Sequence, residues 1–272
     1  MSSQVTSAGI DPSTCWWSST LGSVASRVSS SERLGASVDV AMAQPPVARR
    51  LAQPRGLRHD AAMFPKRLTT KSLRRAARHL RGADPVMARI VRGVGSCGLE
   101  VDRRMPPFAY LTAAIVHQQI TGKAAASICR KLRAHAGGRW PRPDHVLGST
   151  DAELRACGLS RQKIGYLRDL AVHVGNGLPF RRLRGRTDEE VIEALTAVKG
   201  IGRWTAEMFL MFRLGRPDVL PVDDLGIRKA MQKAWRKRSL PKPDWMRRTA
   251  EGWRPWRTVA CWYLWQSLDA KP

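Results

Sequence analysis

Apolar residues recur at spacings of three and four from about Leu80 to the end of the chain, the period of a helix packed on one face. The set Ile164, Leu167, Leu170 and Ala171 lies on one side of such a helix. No segment alternates apolar and polar residues for long enough to indicate a strand. The pattern therefore predicts an all-α fold.

Capping signals divide this pattern into separate helices. Thr150 with Glu153 and Thr187 with Glu190 each match a capping box, and Ser160 can cap another helix. Helical spacing of apolar residues is also clear over residues 108–135. The other predicted helices cover residues 150–158, 160–175, 187–198, 203–212, 225–235 and 256–268.

The first 66 residues differ from the rest. Residues 1–45 are rich in Ser, Ala, Gly and Val and show no sustained period, and we expect residues 1–66 to form a disordered extension and residues 67–272 to form the folded domain. The low acidity and scattered arginines of the extension loosely resemble a transit peptide. A start codon assigned too far upstream, with Met42 or Met63 as the true start, fits the sequence equally well.

The chain is strongly basic, with 47 Lys and Arg residues against 22 Asp and Glu residues and a net charge of +25. This surplus favours a polyanionic partner, with nucleic acid first and an anionic membrane surface second. The sequence contains no run of eighteen apolar residues, so it predicts no membrane span. The five cysteines are scattered, so they suggest neither a disulfide framework nor a zinc site.

A tight turn between two predicted helices is the first candidate for binding chemistry. Gly200-Ile201-Gly202 joins them with almost no loop. Glycines there remove side chains, so backbone N–H groups at the start of the second helix can touch a phosphate. An ordinary αα-hairpin would look the same, and the glycines alone do not decide between the two interpretations.

Three further segments change this balance: Ala114–Ala125, Leu220–Arg228 and Trp253–Trp265. Together with the hairpin Val198–Ala206, they resemble the DNA-3-methyladenine glycosylase II family of the helix-hairpin-helix DNA glycosylase superfamily. The resemblance covers residues 82–268. It implies the compact form of an all-α fold, in which two helical subdomains flank a cleft. It also implies a monomeric, monofunctional glycosylase that excises alkylated purines from duplex DNA.

The resemblance assigns roles to particular residues. It places the catalytic carboxylate at Asp224, although Asp223 is the alternative, and either could simply cap the next helix. It implies a base pocket lined by Trp204, Trp265, Tyr110 and Phe108. It implies DNA contacts at Gln118, Gln119, Ile120, Lys123, Gly200, Gly202, Arg203 and Thr205, with Gln119 or Ile120 as the wedge that fills the gap left by a flipped base.

Two features of related enzymes are missing from the sequence. Bifunctional relatives carry a lysine where this chain has Trp204, and relatives with an iron–sulfur cluster carry four closely spaced cysteines near the C-terminus. The resemblance therefore implies no lyase activity, no iron–sulfur cluster, no metal and no required cofactor, and it leaves open a monovalent cation at the hairpin.

Two other functions remain open at this stage: a superfamily glycosylase for another damaged base, and a non-catalytic helix-hairpin-helix module that only binds DNA. We expect a cytoplasmic protein, associated with the nucleoid if the chain is bacterial. Organellar targeting by the N-terminal segment stays open.

Overall fold

The computed structural model of the chain describes residues 67–178 and 180–269, and no strand occurs among them. The predicted extension over residues 1–66 lies outside this part. In chain order the α-helices are α1 Thr70–Ala83, α2 Pro85–Val94, α3 Pro107–His117, α4 Gly122–His135, α5 Pro143–Gly148, α6 Asp151–Ala156, α7 Arg161–Gly175, α8 Asp188–Thr196, α9 Arg203–Met208, α10 Leu225–Ala234, α11 Pro243–Thr249 and α12 Arg257–Asp269. The all-α prediction is confirmed for the described residues.

The predicted caps form as expected. The Thr150 and Thr187 hydroxyls accept from the backbone N–H groups of Glu153 and Glu190, and each glutamate accepts in return from the backbone N–H of its threonine. Ser160 caps α7 through the N–H of Lys163. These local contacts satisfy N–H groups that have no partner inside the helix, and so they fix where α6, α7 and α8 begin.

Other boundaries differ from the sequence prediction. Helix α8 ends at Thr196 instead of Val198, and α9 passes at Phe209 into a π-helix over Phe209–Leu214. The short helices α5 and α11 were not predicted, nor was the start of α1 at Thr70. Both α5 and α11 begin with a proline, which suits the first turn because its missing N–H would have no partner there.

The helices pack in two groups around one continuous core. Helix α12 packs against α1, α2 and α10, and α1 packs against α2, while α3 packs against α4 and α7. The π-helix packs on α3, while α9 packs on α8. Every residue of α3 from Phe108 to Val116 is buried, as is the middle of α12 from Val259 to Trp265. No helix in the described part is both long and apolar enough to cross a bilayer.

Candidate active site

Asp224 is a buried carboxylate, 7 % exposed, at the N-cap of α10. Its Oδ1 accepts from the backbone N–H of Ile227 at 2.7 Å and from the indole N–H of Trp265 at 3.0 Å. Its Oδ2 accepts from the indole N–H of Trp204 at 2.7 Å. The side chain is therefore a helix cap and also the point where α9, α10 and α12 meet.

Gly226 makes room for this arrangement. A Cβ atom at this position would lie 3.1 Å from Oδ1 of Asp224 and 3.1 Å from Nε1 of Trp265. That is closer than side chains normally approach, so a larger residue would push the carboxylate and the indole apart. The glycine after Leu225 thus belongs to the site, although the sequence analysis gave it no role.

Asp223, the alternative carboxylate, is exposed. The indole hydrogen bonds from Trp204 and Trp265 go to Asp224 and not to Asp223. A carboxylate that stabilises a reacting cation works best when it is fixed and shielded from water, because charge interactions are stronger there. The geometry therefore favours Asp224 over its neighbour, and the catalytic assignment stays a prediction.

The hairpin turn has the backbone conformation that its glycines suggest. Gly200 has φ +81°, and a Cβ atom there would overlap the ring of Tyr166. Gly202 caps α9 without a side chain, is exposed, and has no atom within 4 Å of the position of a Cβ. No side chain therefore covers the start of α9 at Gly202, which leaves room for a phosphate at this helix N-terminus.

The segment after α3 lies next to this turn. Gln118 leaves the helix and donates from Nε2 to the carbonyl oxygen of Gly200 over 2.8 Å. Gln119 follows with φ +58°, and the aliphatic side chain of Ile120 is 37 % exposed. Lys123 is exposed in the first turn of α4. The structure therefore brings the predicted wedge and the predicted hairpin together on one surface.

Two predicted DNA contacts are less accessible. Arg203 is held by Glu189 through two hydrogen bonds of 2.7 and 2.9 Å, and its Nε lies 3.3 Å from Oε1 of Glu207. Thr205 is buried. A phosphate must compete with two carboxylates for Arg203, while Thr205 presents little side chain to a partner.

The four residues of the predicted base pocket also differ in how accessible they are. Trp204 is half-buried, so part of its ring can meet a ligand. Trp265 is 1 % exposed, and its contribution in this structure is the hydrogen bond to Asp224. Phe108 and Tyr110 are buried in α3, with the Tyr110 ring edge-on to Phe209 at a centroid distance of 5.6 Å. Their role as pocket walls stays a prediction.

Glu207 is a feature that the sequence analysis missed. It is 5 % exposed, on the same helix as Trp204, and burial raises its pKa to about 7 against the opposing effect of Arg203. The nearby charge of Asp223 raises this pKa further. The signal was available, because an acidic residue four places after Arg203 stands in an otherwise apolar run.

No amine takes the place of a catalytic lysine at the hairpin. Lys199 precedes the turn, is 78 % exposed, and lies 3.9 Å from Oδ1 of Asp169. Within the described residues no group of three His, Cys, Asp or Glu side chains could hold a metal ion. The arrangement supplies a fixed carboxylate, two indole rings and an open helix N-terminus.

Residues 112–255 match the HhH-GPD superfamily of base excision DNA repair proteins. The DNA-3-methyladenine glycosylase 1 of Schizosaccharomyces pombe is 38 % identical over 202 residues, covering 72 % of this chain and 88 % of the relative. A solved structure of the S. pombe 3-methyladenine DNA glycosylase in complex with abasic DNA has a TM-score of 0.64 and 36 % identity over 72 % of this chain and 97 % of its own. A DNA-3-methyladenine glycosidase structure from Bacillus halodurans also has a TM-score of 0.64, with 35 % identity over 71 % of this chain and 88 % of its own.

Proposed function

This chain belongs to the HhH-GPD superfamily of base excision DNA repair proteins, and we propose that it is a monofunctional DNA glycosylase that excises alkylated purines of the 3-methyladenine type from duplex DNA. The observation that carries this proposal is the buried carboxylate of Asp224, bound by the indole N–H groups of Trp204 and Trp265. The relatives named above are glycosylases for this kind of lesion.

The chemistry asks for a fixed negative charge. Breaking an N-glycosidic bond builds positive charge on the sugar, and a carboxylate close to that charge stabilises the transition state. At about 4 Å and an effective dielectric near 20, one such pair is worth about 4 kcal/mol, or on the order of a thousandfold in rate. An alkylated purine already carries positive charge and leaves readily, so Asp224 and a water molecule are sufficient for hydrolysis.

The base must leave the helix before this carboxylate can act on it. The open N-terminus of α9 at Gly202 binds the DNA backbone without reading its sequence. Gln119 and Ile120 stand at the same surface and fill the gap that the flipped base leaves. Trp204 offers the flipped base an aromatic face next to Asp224.

A glycosylase assay on duplexes with one defined base tests the proposal. We expect release of 3-methyladenine and 7-methylguanine, revealed as strand breaks after alkali, and little release of uracil or 8-oxoguanine. Preferential release of an oxidised or deaminated base would assign the chain to another lesion. Tight binding to every duplex with no base release would make it a DNA-binding module.

We also propose that excision needs no metal, no iron–sulfur cluster and no other required cofactor, since a carboxylate and water carry out the reaction. Activity should therefore survive EDTA. A monovalent cation bound at the hairpin would appear as weaker DNA binding when K⁺ is replaced by tetramethylammonium at equal ionic strength. We propose further that the enzyme acts as a cytoplasmic monomer and that residues 67–272 are sufficient, so deletion of residues 1–66 should leave excision intact.

A further inference from the structure

One face of α7 touches both of the segments that are predicted to meet DNA. Lys163, Tyr166 and Asp169 follow one another at intervals of three residues, so they share that face. The Tyr166 ring packs against Gly200, and Asp169 accepts from the backbone N–H of Lys199 at 2.8 Å. These two residues fix the hairpin turn.

Lys163 makes the corresponding contact with the segment after α3. Its Nζ donates to the carbonyl oxygens of Val116 at 2.7 Å and of Gln118 at 2.8 Å. These carbonyls lie at the C-terminal end of α3, where no N–H of the helix can reach them and where a cation is favoured by the helix dipole. Burial lowers the pKa of Lys163, because its ammonium is partly withdrawn from water where it meets these carbonyls.

The residues that follow need such support. Gln119 has φ +58°, a conformation that costs free energy in a residue with a side chain, and Ile120 next to it is exposed. The backbone is held on one side by Lys163 and on the other by the hydrogen bond from the Gln118 side chain to Gly200. These two hydrogen-bond contacts join the turn to α7 and to the hairpin, and so they favour its strained conformation.

We propose that Lys163 is a positioning residue for base flipping, which holds the wedge segment, residues 118–120, in a fixed place relative to the hairpin. The inference rests on the proposed glycosylase function. As proposed, Lys163 acts through the wedge segment and does not touch the reacting atoms. Lys163 keeps the wedge segment ordered before DNA binds. Insertion of Gln119 and Ile120 then does not require this segment to become ordered at the same time.

The test compares one lesion in two settings. Single-turnover excision of 7-methylguanine is measured opposite cytosine, where the base must be unpaired and flipped, and opposite an abasic-site analogue, where flipping is easy. The variants are Lys163→Met, which keeps the apolar stem and removes the donors, and Lys163→Arg, which keeps a cation able to donate to both carbonyls. Lys71→Met, an exposed lysine on α1, is the control for loss of one positive charge.

We expect Lys163→Met to lose about tenfold or more in rate opposite cytosine, the effect of losing charge-assisted hydrogen bonds, and to stay within about threefold of the wild type opposite the abasic analogue. Lys163→Arg should recover much of the loss, and Lys71→Met should match the wild type on both duplexes. If Lys163→Met does not fold, Gln118→Met is measured instead and should show the same selective loss.

Equal losses on the two duplexes would show a merely structural role and overturn the inference, as would a Lys163→Met rate close to that of the wild type opposite cytosine. A wild-type protein that releases no base from either duplex would overturn the proposed function and the inference with it. The wild-type rates therefore separate the two failures.

Discussion

The indole nitrogen of Trp204 lies 2.7 Å from Oδ2 of Asp224, although the two residues belong to different helices. The half-buried ring that is predicted to stack on a flipped base is thus joined directly to the predicted catalytic carboxylate. In the proposed mechanism this one contact links the ring that receives the base to the charge that stabilises the sugar cation. A change at Trp204 should therefore also disturb the position of the carboxylate.

Replacing Asp224 with Asn should reduce excision about a thousandfold while the protein still folds. The amide oxygen can keep the cap to Ile227, but the negative charge that stabilises the sugar cation is gone. Affinity for DNA should stay equal or rise, because a negative charge near a polyanion has been removed. Single-turnover excision and a binding titration measure the two effects.

Asp223→Asn is the matched control, since it removes the same charge from the next position, which is exposed. It should keep most of the activity. An inactive Asp223→Asn together with an active Asp224→Asn would reverse the assignment within the pair.

The two indoles should respond differently to replacement by Phe. Trp265→Phe removes a hydrogen bond and leaves a cavity around a side chain that is 1 % exposed, so we expect a loss of about 2 kcal/mol in the free energy of unfolding. Trp204→Phe affects a half-buried side chain and should reduce excision with a smaller loss of stability. Chemical unfolding and single-turnover rates are the measurements, and equal stability losses would contradict the prediction.

Gly200 and Gly202 should respond differently to replacement by Ala, because the first is required by the backbone conformation and the second by access to the start of α9. Gly200→Ala should lower the melting temperature, because Ala is strained at φ +81° and its Cβ would overlap Tyr166. Gly202→Ala should fold normally, since nothing lies near the new methyl group, but should weaken binding to undamaged DNA by obstructing the N–H groups of α9. A Gly202→Ala protein with wild-type affinity would mean that this turn does not contact phosphate.

Glu207 should make stability depend on pH near neutrality. Burial raises its pKa in the folded protein to about 7, above the ordinary value of 4.5, so the folded state holds a proton that the unfolded state has lost. The free energy of unfolding should therefore fall as the pH rises between these two values. Glu207→Gln lacks this slope, and it should therefore gain stability relative to the wild type on going from pH 5 to pH 8.

Unfolding by urea at several pH values measures this difference. Glu193→Gln, an exposed glutamate on α8, is the control for loss of one carboxylate. A Glu207→Gln difference that does not change between pH 5 and pH 8 would show that Glu207 is ionised throughout in the folded protein.

Abasic strands should stay intact after base release. A lyase needs an amine that attacks the sugar, and the corresponding hairpin position is Trp204. Lys199 is next to Asp169, and the ammonium of Lys163 is bound to backbone carbonyls. Borohydride should therefore trap no covalent complex with abasic DNA. A trapped complex that is lost in Lys199→Ala and kept in Asp224→Asn would overturn the monofunctional assignment.

The sequence was sufficient for features that depend on neighbouring residues. The caps at Thr150, Ser160 and Thr187 form because the cap and its partner lie three residues apart. The short helices from Pro143 and Pro243 were missed, because six or seven residues contain too little periodicity to detect.

The site itself depends on contacts between distant residues, which no local pattern reveals. Asp224 meets Trp204 across 20 positions and Trp265 across 41, and Gln118 meets Gly200 across 82. The resemblance placed both tryptophans at the pocket but gave no reason to expect that they bind the carboxylate. Glu207 stands out in the sequence as an acidic residue in an apolar run, but its burial and its contact with Arg203, like the contacts of Lys163, became apparent only in the structure.

The π-helix Phe209–Leu214 is a reserve of chain length between the hairpin and Asp224. Its hydrogen bonds span five residues where those of an α-helix span four, so rewinding it as α-helix can absorb the deletion of one residue without drawing Asp224 away from Trp204. The stretch that follows is held at two points by Thr258, whose backbone N–H donates to the carbonyl oxygen of Pro217 and whose hydroxyl accepts from the backbone N–H of Val219, each over 3.0 Å. Evolution or an engineer can therefore change the length of this connection at one end only.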